Sequence, residues 1–185
     1  ILGIAGNVGV AAYGVVANTA LVATAFFNGV AQGTQPLVSE CYGKGDQKDV
    51  RLLGRMGLLT ALGIAVILWG VMLIWSGPIS GIFNREHNMA LQQMAEQGLK
   101  LYFIGFFFAG INIVGTSLLS SVEAAGWAMA ASLLRGFVAI CACAFVMSQL
   151  LGMTGVWLAF AAAEGITMIV TMIALGKEGD ITSKK

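Results

Sequence analysis

The chain is 185 residues long, with 58% hydrophobic and 10% charged residues and a net charge of +1. Soluble domains carry about 25% charged residues, so this composition, with a mean hydropathy of +0.85, excludes a water-soluble globule. The near-neutral balance offers no basic surface for phosphate backbones, and no nucleic-acid partner is expected.

The opening residues, Ile-Leu-Gly-Ile, have no initiator Met and no basic stretch ahead of an apolar core. They do not form a signal peptide, and the sequence is expected to start inside a longer protein. A helix needs about 20 apolar residues to cross a hydrocarbon layer of about 30 Å. The first such segment is 8–31, with a continuation toward Leu37. It carries a polar stripe: at about 100° per residue, Asn18, Thr24, Asn28, Gln32 and Gln35 fall within an arc of about 120°. Amides facing lipid lack hydrogen-bond partners, so the stripe is expected to face inward. Asn18, Thr24 and Asn28 are candidates for lining a water-filled cavity or substrate path, with interhelical bonding as the competing reading. Gln32 and Gln35 are expected to be structural or interfacial.

The connection 39–55 carries Lys44, Lys48, Arg51 and Arg55 and leads into a second span, 56–83. A polar connection, 84–98, contains Arg85 and His87, the latter expected to be a solvated loop residue. The third span, 101–122, has Asn112 near its middle, a further cavity-lining candidate for which helix cross-linking is the competing role. Glu123 follows at the span's end beside a short turn, where a solvated carboxylate is expected.

The fourth span, 127–150, contains Arg135, on a face shared with Ala128, Ala131, Ser132, Ala139 and Ala142. The fifth, 153–176, contains Glu164, with Trp157, Thr167 and Thr171 on its side. An ionisable group at membrane depth is a functional candidate by default. The two spans are joined by a tight turn near Gly152, and the depth mismatch between Arg135 and Glu164 is five residues, about 7 Å. An arginine side chain can bridge that gap, so the two are expected to pair. They are candidates for a buried ion pair that fixes packing or for coupling to a moving ion through Glu164. Residues 177–185 form a polar tail.

Five crossings put the 39–55 connection and the tail, with Lys177, Lys184 and Lys185, on one side. The positive-inside rule makes that side cytoplasmic. Trp75, Trp127 and Trp157 lie near span ends, where interfacial anchors sit, while Trp69 lies deeper, in packing. Gly105-x-x-x-Ala109 and the series Gly155, Ala159, Ala163 have the spacing of close helix contact. Cys141 and Cys143 point to opposite sides of a helix and Cys41 stands apart, so no metal or redox role is expected. No nucleotide-binding glycine loop, H-E-x-x-H motif or catalytic constellation occurs, so an enzyme is not expected.

The segment from Gly9 to Asp46 resembles the multidrug and toxic compound extrusion (MATE) transporters. The match is carried by Val10-Ala11-Ala12-Tyr13-Gly14, by Gln32-Gly33-Thr34-Gln35-Pro36-Leu37 and by Tyr42-Gly43. Ser132-Leu133-Leu134-Arg135, and Gly155-Val156-Trp157-Leu158-Ala159 followed by Glu164, continue it. The resemblance implies twelve helices in two six-helix lobes. This chain would supply helices eight to twelve, with residues 1–6 as the end of helix seven and the N-terminal lobe of the same protein as its partner. It also implies export of amphipathic compounds by alternating access, coupled to proton or sodium, in the plasma membrane with a cytoplasmic C-terminus. Some branches place an ion-binding acid in the tenth helix, where this chain has Asn112, so no sodium site is assigned and no bound cofactor is expected.

The expectation is therefore an all-α polytopic membrane bundle of five spans over residues 1–176. The leading function is cation-coupled drug export, with membrane lipid and a small amphipathic substrate as partners. A lipid-linked saccharide flippase of the same superfamily is the nearest alternative, and a membrane scaffold or channel subunit the more distant one.

Overall fold

The computed structural model describes the backbone of residues 1–84 and 87–182, with side chains as far as Lys177. Arg85, Lys184, Lys185 and most of the 177–185 tail, used above in the charge argument, lie outside the described side chains. The described residues are helical almost throughout: α1 (Leu2–Gly43), α2 (Gln47–Phe83), α3 (Met89–Tyr102), α4 (Phe106–Ser121), α5 (Ala125–Leu133) and α6 (Ile140–Thr182). A 3₁₀ turn, Phe103–Gly105, joins α3 to α4, and a π-helical stretch, Leu134–Ala139, joins α5 to α6.

The helices extend well past the apolar windows. α1 runs through Pro36 to Gly43, and only a turn around Gly45 (φ 78°) separates it from α2. Asp46 caps α2 by accepting a hydrogen bond from the Asp49 amide at 3.1 Å, which satisfies one of the amides a helix start leaves open. The connection expected over 39–55 is thus mostly helix. The polar stretch before the third span is helix as well. Asn88 caps α3 through the amides of Ala90 and Leu91, and Gln92 donates to Gly77 O, Ser80 Oγ and Glu96 Oε1. Polar side chains with partners of this kind do not end a helix. They only end its apolar face.

Among the described residues four helical runs are long and apolar enough to cross a membrane: Leu2–Gly43, Gln47–Phe83, Met89–Ser121 and Ala125–Lys177. The expected count of five is corrected to four, because no non-helical run separates the fourth and fifth predicted spans. The fourth run is nevertheless not straight. Gly152 has φ 59° and ψ −133°, a conformation that a residue with a Cβ adopts only at a cost. Arg135 and Glu164, which a straight helix would hold about 44 Å apart, are in contact. The run therefore doubles back between them. A second break in φ/ψ, at Gly6, sets the first five residues apart from the rest of α1.

The core lies along α3 and α4, where Leu99, Phe103, Phe106 and Val114 are fully buried. Against them pack Val16 and Phe27 of α1, Ala61 and Ala65 of α2, and Trp157 of α6. The small residues singled out by spacing lie at these contacts: Ala109, Ala159 and Ala163 are buried. At Gly105 a Cβ would sit 2.4 Å from the Phe160 ring and 3.1 Å from the Ala161 backbone, so only glycine permits the approach of α6. The outward faces carry exposed Leu21, Phe26, Ile67, Ile74, Phe145 and Leu150, an apolar exterior fitted to acyl chains rather than water.

Trp157 departs from the expectation of an interfacial anchor. It is fully buried, stacked on Tyr13 at 6.0 Å between ring centroids. Gly98 opens the slot for it, since a Cβ there would lie 3.0 Å from the indole. Trp75 is 52% exposed, and the Lys177 ammonium stands 5.0 Å over the Trp127 ring. Trp69 packs edge-on against Phe107 and donates to Lys100 O.

Candidate functional site

Glu164 lies past the Gly152 reversal on α6 and is 3% exposed. A lone carboxylate at such a place is costly to ionise. Here both oxygens have donors. Arg135 Nε donates to Oε1 at 2.6 Å, and Asn112 Nδ2 donates to Oε2 at 2.7 Å and to the Glu164 carbonyl at 2.9 Å. Three helical segments, α4, the π-helical stretch and α6, are tied at one buried carboxylate. The orientation of the Asn112 amide follows from this, because the reverse orientation would set its oxygen against the carboxylate. Among the described residues its Oδ1 is left buried with no partner.

Arg135 is supplied by the π-helical stretch Leu134–Ala139, a local widening of the helix that recurs at functional positions. Its side chain is 28% exposed, against 4% for Glu164. Thr167 and Thr171, on the Glu164 side of the helix, are buried and donate back to Ala163 O and Thr167 O. They fill the interior and satisfy themselves locally.

The polar stripe of α1 divides. Asn28, Gln32 and Gln35 line an open cavity of about 450 Å³, facing Thr116, Ser132 and Arg135. Asn18 is exposed and donates to Gly14 O at 2.8 Å, and Thr24 donates to Ala20 O at 2.8 Å; neither lines that cavity. Asn112 does not line it either. With no exposed surface, it lies behind the wall and bonds to Glu164, which corrects the expectation that it lines a cavity. Gln32 and Gln35, expected to be structural or interfacial, are on the cavity surface. A second cavity, of about 340 Å³, is lined by Tyr13, Tyr102, Phe160, Glu164, Ser132 and Arg135. Ser132 and Arg135 border both cavities.

Tyr13, Tyr102 and Phe160 were not singled out from the sequence. Tyr102 and Phe160 stack at 4.3 Å with nearly parallel rings. The available signal was a phenol in an otherwise apolar span, where the hydroxyl needs a polar neighbour. At the far end of α1, Glu40 and Lys44 form an exposed ion pair.

Residues 1–145 match the MatE family model. The multidrug export protein MepA of Staphylococcus aureus (strain bovine RF122 / ET3-1) is 25% identical over 171 residues, covering 91% of this chain and 36% of MepA. MepA of Staphylococcus saprophyticus is 24% identical over 168 residues, with the same shares covered. Among solved structures, the outward-facing conformation of a multidrug resistance MATE family transporter of the MOP superfamily superposes with a TM-score of 0.92 at 13% identity. That superposition covers 100% of this chain and 41% of the other. The chain thus spans well under half the length of the proteins it resembles.

Proposed function

The chain belongs to the MatE family of membrane transporters, and from that membership we propose that the full-length protein exports amphipathic drugs or toxic organic compounds by alternating access, coupled to proton or sodium. The observation that carries this reading is the cavity of about 450 Å³ lined by Asn28, Gln32, Gln35, Ser132 and Arg135. A polar hollow inside a bundle with an apolar exterior is where a water-soluble group crosses. The relatives named as multidrug export proteins give the cargo class.

In this reading the four helical runs lie in the plasma membrane, with both arms of the fourth, which reverses at Gly152, inside it. The basic turn after α1 and the C-terminus are cytoplasmic. The lobe that completes the transport path is supplied by sequence outside this chain, since alternating access requires two bundles that move against each other.

Glu164 serves packing rather than ion transfer. Each of its oxygens already has a donor, one of them a guanidinium, so the group that binds the coupling ion lies elsewhere in the full-length protein. The test is ethidium efflux from proteoliposomes of the full-length protein under imposed proton or sodium gradients. Gradient-driven efflux that keeps its ion dependence in Glu164→Gln supports both statements. Absence of efflux under either gradient contradicts the export reading, and loss of ion dependence in that variant contradicts the packing role.

A further inference from the structure

We propose that Arg135 makes the larger cavity a subsite for the carboxylate of an amphipathic compound, an inference that rests on the export reading and specifies part of its cargo. A guanidinium carries five N–H donors. One is used: Nε donates to Glu164 Oε1. Among the described residues the terminal Nη amines have no partner, although the side chain is only 28% exposed and borders both cavities.

The arrangement presents these amines in a fixed way. Asn112 holds the Glu164 carboxylate from one side, and that carboxylate holds the guanidinium by its Nε. The terminal pair of nitrogens is left for the cavity. Two N–H groups in one plane match the two oxygens of a carboxylate better than they match a single ester or ketone oxygen. Thr116 and Ser132 add hydroxyls nearby, while Ile113 and Met129 give apolar contact to the remainder of a ligand.

Charge sets the size of the effect. Glu164 offsets the charge of Arg135, so the ligand gains directed hydrogen bonds rather than the attraction of a free cation. A carboxylate preference of about tenfold over the matching ester is the expected scale. A cargo recognised only by positive charge would leave this wall unexplained, because among the described residues its one cationic side chain lines the cavity.

The experiment uses the full-length protein in lipid nanodiscs, with fluorescence titrations of dansylglycine, its methyl ester and dansylcadaverine. These share one ring system and present a carboxylate, a neutral ester and an ammonium. Dansylglycine is expected to bind about tenfold tighter than the ester, and Arg135→Gln combined with Glu164→Gln, which removes both charges together, is expected to erase the difference. Arg135→Lys keeps the ion pair and loses the planar fork, so it is expected to cut the preference. Equal affinities in the wild type, or a preference that persists in the double variant or is undiminished in Arg135→Lys, would overturn the subsite. Ethidium efflux by the same wild-type protein reconstituted in proteoliposomes separates the two ideas: efflux without carboxylate preference removes the subsite alone, and carboxylate preference without efflux removes the export reading alone.

Discussion

Arg135 and Glu164 are 29 positions apart in sequence and 2.6 Å apart between Nε and Oε1, so the pair fixes how the two arms of the last helical run lie against each other. Removing one partner leaves the other charge buried, which costs about 3–5 kcal/mol when both are well enclosed. Since Arg135 retains 28% exposure, the lower end applies. Arg135→Gln should lower the thermal midpoint of the full-length protein in detergent by more than the double variant with Glu164→Gln does. A double variant as unstable as the single one would mean that the pair carries no uncompensated-charge penalty.

Asn112 should behave as a fastener for the carboxylate. Asn112→Leu removes two hydrogen bonds to Glu164, each worth about 1.5–3 kcal/mol when the acceptor is charged and less for the carbonyl. Asn112→Asp sets a second carboxylate against the first and should destabilise further. Melting curves that rank aspartate above leucine would contradict the assigned amide orientation.

How much of this was legible in the sequence depends on what fixed each relationship. Arg135 and Glu164 could be matched in depth because a short turn near Gly152 joins their helices. The contact of Asn112 with Glu164 could not, because nothing in one sequence sets the rotation of α4 against α6. Apolar windows located the membrane-crossing stretches but not the helix ends, since capped and mutually bonded polar residues continue the helix at Asp46 and Asn88. Trp157 lies near a predicted span end, where an anchor is expected, whereas the vacancy at Gly98 draws it into the core. The stripe on α1 is visible as a stripe, yet periodicity does not tell that Asn28, Gln32 and Gln35 line one cavity with Arg135 while Asn18 bonds within its own helix.

Gly105 is a packing constraint that a single methyl group tests. A Cβ there would lie 2.4 Å from Phe160 and 3.1 Å from the Ala161 backbone, and overpacking of this kind costs about 1–3 kcal/mol. Gly105→Ala should lower the thermal midpoint, and adding Phe160→Leu should return part of the loss. No recovery in the double variant would place the strain at the backbone of α6 instead.

Gly152 tests the reversal itself. Its φ of 59° disfavours any residue with a Cβ, so Gly152→Val should reduce the yield of monodisperse full-length protein. Gly126→Val, at a glycine with open space around it and no positive φ, should leave the yield nearly unchanged. Equal yields from the two variants would show that the turn tolerates a side chain.

The central claim is that the polar wall formed by α1 and Arg135 faces an aqueous space that holds cargo, and cysteine accessibility in inside-out membrane vesicles tests it most directly. With Cys41, Cys141 and Cys143 replaced by serine in the full-length protein, Asn28→Cys should react with a membrane-impermeant thiol reagent, and ethidium should slow that reaction. Phe26→Cys, on the apolar outer face of the same helix, should stay unlabelled. Labelling at residue 26 with none at residue 28 would contradict the account.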